Sequence, residues 1–307
     1  MAPVAEHCVA VTASLRPLLV ACLFVELVCW AGVCLAQTTK PAAELLARRS
    51  SLNPQARLVT AGAPIHLVSK ESDNRLDGDV YAELAQPFAR VSAVLRSADS
   101  VCEVLFLHLN VRSCRVSNTS AGPQLTLEAG PKRAAAGATY RMVYAMQVVA
   151  STDDYLSVLL SAASGPLSTS DYRIVFEVTP LDDKRTFLHF GYAYRYGVLA
   201  KTAMRLYLAT AGRTKIGFTA VGNGTDGKAQ FVQGERGSLE RNVVRNYLAL
   251  QAHASVGSGT PQAQMDARLR AWFALTERHA AQLHELELDE YLQEKRDDLA
   301  RMAVPAK

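Results

Sequence analysis

The chain reads as an α+β fold in which a curved antiparallel sheet closes on a C-terminal helix, with an extra helical tail beyond it. Three observations predict this. First, Val111 to Tyr196 is a series of alternating segments, two short and four long, divided by Gly, Pro, Asp and Ser clusters. Strands so close together pair antiparallel, because a parallel return needs a crossover. Second, FLHFGYAYRY at Phe187 to Tyr196 puts Phe190, Tyr192, Tyr194 and Tyr196 on one side of a strand and His189, Gly191, Ala193 and Arg195 on the other. Large rings on one face and small residues on the other suit a sheet wrapped around a helix or a cavity. Third, Ser238 to Ala254 carries Leu239, Val243, Tyr247 and Leu250 as a helical stripe, with Ser238 as a good N-cap.

The elements follow in chain order. Pro17 to Ala36 is a 20-residue apolar run behind Arg16, ending in Cys34-Leu35-Ala36. Small residues three before and one before the cut fit a secretory signal cleaved after Ala36, although Glu26 interrupts the run. The alternative is a retained inner-membrane anchor over residues 17–36, since 20 apolar residues span a bilayer. Either way the bulk of the chain is expected outside the cytoplasm, in the periplasm. Residues 37–63 read as a Pro-containing linker with a short helix near Ala42 to Arg49. Ile65 to Lys70 and Asp79 to Leu84 flank the turn formers SDNRLDG and read as a hairpin. Pro87 opens one helix with Phe88, Val91, Val94 and Leu95 on one face and Cys102 near its end.

Strands are expected at Val111 to Ser117, Gln124 to Glu128, Tyr140 to Ala150, Tyr155 to Ala162, Asp171 to Thr179 and Thr186 to Tyr196. A helix at Val198 to Ala211 and a hairpin from Lys215 to Gln233 then precede the closing helix. Gln262 to Met302 contains neither Gly nor Pro and reads as a helical tail, with Glu285, Glu287, Glu290, Glu294, Lys295 and Arg296 facing water. The tail is either docked on the domain or a contact for a partner. The expected boundaries are 1–36 for the leader, 37–63 for the linker, 64–258 for the main domain and 259–307 for the tail.

Composition narrows the function classes. The 49% apolar and 20% charged content is that of a globular protein, and the net charge of +4 is modest. No dense basic run with interleaved aromatics is present, so nucleic acid is not an expected partner. Four of the six cysteines fall in the leader, leaving Cys102 and Cys114. In an oxidising compartment such a pair forms a disulfide; the alternative is two buried thiols.

The order hairpin, helix, antiparallel meander, closing helix resembles the helix-grip fold of the START-like (SRPBCC) superfamily. The resemblance covers about Ile65 to Val256 and includes SGPLSTSDYRIVFEV, RTFLHFGYAYRYG and ERNVVRNYLAL. These stretches are also similar to exported bacterial proteins of unknown role. The hairpin from Lys215 to Gln233 and the helical tail depart from the pattern. The resemblance implies binding of a lipid, sterol, polyketide or other apolar small molecule between sheet and helix, and catalysis only in some members.

On that reading Tyr144, Phe176, Tyr192, Tyr194 and Tyr247 are candidate wall residues. Whether they surround a ligand or a packed core stays open. Arg236, Arg241 and Arg245 gather where a helix begins, which calls for negative charge. Either Glu235 and Glu240 supply it in ion pairs, or an anionic ligand head does. A transient membrane contact is a further partner class.

Catalytic and cofactor signals are weak. Gly222, Gly224 and Gly227 match GxGxxG, but KAQFV follows as a strand rather than a helix, so the motif reads as a turn. His108 and His189 read as satisfied core histidines; an enzyme on this fold would use His189 or Glu177 as acid or base. His279 and His284 have no zinc-site spacing, and Asp153-Asp154 and Asp182-Asp183 read as turn residues. No metal, cofactor or catalytic residue is assigned.

Overall fold

The computed structural model describes residues 40–52, 57–60, 63–130, 139–210, 212–224 and 226–303. The expected leader lies outside them. The described residues belong to one compact unit, Thr39–Lys307. Among them no helix is long and apolar enough to cross a membrane.

Helix α1 (Pro41–Ser51) comes first, followed by β1 (Arg57–Thr60), β2 (Ala63–Ser72) and β3 (Arg75–Leu84). Residues Asp73 and Asn74 make the tight turn between β2 and β3 with positive φ, a conformation Asn and Asp tolerate. Two helices then follow, α2 (Phe88–Arg96) and α3 (Ala98–Phe106). The single expected helix breaks because Ser97 is extended and its hydroxyl accepts from the Ser100 amide, capping α3.

The meander comprises β4 (Val111–Thr119), β5 (Gly122–Ala129), β6 (Tyr140–Ser151), β7 (Leu156–Ser164), β8 (Ser170–Pro180) and β9 (Thr186–Arg195). With β1 to β3 it forms one antiparallel nine-stranded sheet ordered β1-β2-β3-β9-β8-β7-β6-β5-β4. Pairing of β9 with β3 joins the first hairpin to the end of the meander.

One sheet face is apolar. Val80, Phe190, Phe176 and Val158 stand side by side on four neighbouring strands, each fully buried. Helix α5 (Gly234–Ser255) crosses this face with Leu239, Val243, Tyr247 and Leu250 buried, as its stripe predicts. The crossing is close because Gly78 on β3 has no side chain. A Cβ there would lie 2.8 Å from Val243 Cγ2 and 3.1 Å from Leu239 Cδ2. The cap differs from the expectation: α5 begins at Gly234 after Gln233, so Ser238 lies inside the helix. A sheet packed on a helix in this order is the START-like, helix-grip architecture.

The opposite face carries α1, part of the expected linker. Its Ala42 and Leu45 pack with Tyr81, Tyr155 and Phe187 as a second small apolar cluster. Between β9 and α5 run α4 (Val198–Ala209) and a short hairpin, β10 (Ala220–Asn223) and β11 (Ala229–Phe231). The GxGxxG residues lie in and beside that hairpin's turn, with Gly224 N donating to Lys228 O at 2.7 Å.

Helices α6 (Pro261–Glu277), α7 (Ala280–Leu283) and α8 (Leu288–Ala303) form the tail. It is docked, with Trp272, Leu283, Tyr291 and Leu292 joining the main core. Three expectations of water-facing residues fail here. Lys295 is fully buried and donates to the carbonyls of Phe106, His108 and Val111 at 2.6, 2.9 and 2.6 Å. Glu294 pairs with Arg112 at 2.9 Å, and Glu285 with Arg245 at 3.0 Å. The receiving turn is itself constrained, because Cys102 and Cys114 form a disulfide with Cα atoms 5.5 Å apart.

Candidate functional site

A cavity of about 320 Å³ opens where β8, β9 and the start of α5 meet α4. Its wall is the aromatic stripe. Tyr192 and Tyr194 extend from β9, Tyr172 from β8, and Tyr196 follows β9. Leu76, Pro166, Leu167, Ala200, Ala203, Glu235 and Asn242 contribute to the rest of the lining.

Strand alternation aims these rings inward, and their mutual packing holds them. Tyr172 and Tyr194 stack with centroids 5.2 Å apart, and Tyr192 lies 5.6 Å from Tyr194. Tyr144 meets Tyr172 edge-on at 6.3 Å behind this layer. The Tyr172 hydroxyl donates to Thr169 Oγ1 at 2.7 Å, and that of Tyr196 to Glu71. Burial pushes the phenols of Tyr172, Tyr192 and Tyr194 up, so all three stay neutral hydrogen-bonding groups. Gly165 makes room for this layer, since a Cβ there would lie 2.5 Å from the Tyr172 ring.

Two sides of the cavity are thinly built. The β7–β8 connection is a single 3-10 turn, Pro166–Ser168, in which Leu167 and Ser168 have φ of 53° and 62°. Non-glycine residues in this region cost of order 1 kcal/mol each, and such strain gathers at functional sites. Helix α4 presents Ala200 and Ala203 to the cavity, while Val198, Leu199 and Leu206 are exposed. Val198 is 84% exposed, so α4 does not bury all of its apolar surface against the domain.

The structure divides the expected site residues. Tyr192 and Tyr194 line the cavity and Tyr144 backs it. Phe176 lies deeper, packed on Phe190 at 5.1 Å, and Tyr247 is fully buried in the core. The three arginines are outside the lining. Arg236 bonds Ser69 at 2.7 Å and lies 3.9 Å from Glu240. Arg241 donates to Ile216 O at 3.3 Å, and Arg245 to Leu283 O and Glu285 at 3.1 and 3.0 Å. They fasten α5 to its neighbours, and protein groups already answer their charge.

Glu240, also buried, accepts from the Phe218 and Thr219 amides at 2.6 and 2.9 Å. Glu235, the other expected ion-pair partner, instead faces the cavity. Tyr172 and Glu235 were not among the expected wall residues. The alternation of β8 carries a signal for Tyr172, but nothing in the local pattern around Glu235 does.

His189 is satisfied, as expected, but by two carboxylates rather than in apolar surroundings. It stands on the α1-bearing face, between Asp79 of β3 and Glu177 of β8, with nitrogen–oxygen distances of 2.8 and 2.6 Å. Its ring stacks on Tyr81 at 4.6 Å, and Tyr155 donates to Glu177. Burial alone would lower its pKa, but the bonds to Asp79 and Glu177 outweigh this and push it up to about 9. The hydrogen bond from His189 holds the Glu177 carboxyl below its usual range, against the cost of burial. A charged imidazole with both N–H groups committed has no lone pair to take a proton, so at neutral pH it fits a structural clamp better than a base.

His108 does fit the core expectation: burial, then the Arg245 and Lys295 charges, lower it to about 3. Among the described residues no group of His, Cys, Asp or Glu is arranged to hold a metal ion.

No protein-family model matches the chain, and no curated protein matches it. Solved structures resemble it in part. A conserved protein from Geobacillus kaustophilus shares 14% identity over 58% of this chain and 95% of its own, with a TM-score of 0.36. Human StAR-related lipid transfer protein 5 shares 11% over 55% of this chain and 86% of its own, at 0.35. The Zhui aromatase/cyclase from Streptomyces shares 13% over 75% of this chain and 98% of its own, at 0.30. The architecture stated above rests on this chain's own strand order and on α5 across the sheet, and it is START-like in fold.

Proposed function

We propose that the domain binds an apolar or amphipathic small molecule in the tyrosine-lined cavity beneath α4. One observation carries this reading: at the end of the stripe where α5 begins, the sheet, α4 and α5 leave about 320 Å³ unfilled by side chains. The volume lies at the low end of ligand sites, about 300–1,000 Å³. It suits a single-chain or ring-sized ligand better than a lipid with two acyl chains. Phenol rings offer such a ligand broad apolar contact plus hydroxyls for one polar group.

The chain acts on this reading as an exported binding protein. The Cys102–Cys114 disulfide supports export, since such bonds persist in oxidising compartments. Exposed Val198, Leu199 and Leu206 favour α4 as the side of entry, and a brief membrane contact there is compatible with them.

Native mass spectrometry of purified protein, with titration of an environment-sensitive apolar dye, tests the binding. A copurified small molecule, or saturable dye binding lost in Ala203→Trp, is the expected result. Absence of both in folded protein overturns the proposal.

A further inference from the structure

Resting on the reading that the cavity takes a ligand, the geometry further points to the charge of that ligand's polar end. We propose that it is a cation, an ammonium group held beside the tyrosines and opposite Glu235. Among the described residues the lining contains one charged side chain, Glu235, and no lysine or arginine. Glu235 has no hydrogen-bond or ion-pair partner among the described residues, so its carboxylate is available to a ligand.

The basic residues nearest in sequence are committed elsewhere: Arg236 to Ser69, Arg241 to Ile216 O, Arg245 to Leu283 O and Glu285. A second carboxylate, Glu71, accepts from the Tyr196 hydroxyl at the same end of the cavity. Phenol rings reinforce the sign, because the negative face of an aromatic ring attracts a cation. An anion placed here would meet Glu235 and the electron-rich rings, with no cation among the described lining residues to answer it.

The start of α5 by itself favours an anion. Glu235, in the first turn of α5, supplies that negative charge from within the protein. The polar end left for a ligand is therefore the positive one. This preference runs against the net charge of +4, which would attract anions non-specifically. A cation preference is thus diagnostic of the cavity.

Isothermal titration of the full chain with octyltrimethylammonium, octanol and octyl sulfate, all below micelle formation, tests the proposal. The ammonium probe is expected to bind roughly tenfold or more tightly than the sulfate. Glu235→Gln should remove most of that preference, with its circular dichroism spectrum and melting temperature showing that the variant is folded. Tighter binding of octyl sulfate, or an unchanged preference in Glu235→Gln, overturns the cation assignment while octanol binding leaves the ligand cavity standing. If none of the three probes binds wild-type protein, the cavity reading fails with it.

Discussion

His189 Nδ1 lies 2.6 Å from Glu177 Oε2, so neighbouring strands β9 and β8 are joined by a charge-assisted bond as well as by their backbones. Asp79 on β3 extends the bridge to a third strand. Because the folded His189 pKa is raised from 6.5 to about 9, its contribution is complete below about pH 6.5 and disappears as pH rises through about 9. Glu177 is shifted down, so its contribution is present above its ordinary value and lost on acidification. The clamp should be strongest in mildly acidic solution. His189→Gln should destabilise the protein by on the order of 1–2 kcal/mol near pH 6, after discounting for solvent screening, and much less above pH ~9.5. Urea unfolding at both pH values checks this.

Gly78 should accept no side chain. A Cβ 2.8 Å from Val243 pushes α5 away from β3, and Gly78→Ala is expected to cost about 1–3 kcal/mol. Ligand affinity should fall as well, because α5 carries Glu235 and Asn242 into the cavity lining. Thermal unfolding and dye titration of the same variant separate the two effects.

Filling the cavity should have the opposite balance. Ala203→Trp puts a ring into space already present, so stability should change by less than about 1.5 kcal/mol while dye binding is lost. Comparing melting temperature with binding isotherms checks it.

Lys295→Met should be costly despite similar size. It leaves the carbonyls of Phe106, His108 and Val111 without the ammonium that bonds all three, at about 3 kcal/mol. Denaturant unfolding measures the loss.

Much of this architecture is legible in the residues. The two-residue periodicity of Tyr172, Ile174, Phe176 and Val178, and the stripe on α5, follow from faces that must leave water, and burial agrees. Tyr192 and Tyr194 were readable as wall residues for the same reason. Lys295 was not: a lysine in a charged helix defaults to water, and only a turn some 180 residues earlier supplies the carbonyls that reverse this. That His189 is satisfied is legible, but its partners are not, because Asp79 and Glu177 come from strands that only the sheet register brings beside it. The arginines' need for negative charge is legible, but Glu285 and the carbonyls that answer two of them lie on loops and on the tail.

The carbonyls that hold Lys295, and that of Leu107, which accepts from Tyr291 at 2.8 Å, all lie between Cys102 and Cys114. The disulfide therefore shapes the socket into which the last helix plugs. Reduction should then loosen α8 before the sheet, a sequence of opening that hydrogen exchange with and without reductant would reveal. The redox state of this one bond thereby governs how firmly α8 is seated, although α8 takes no part in it.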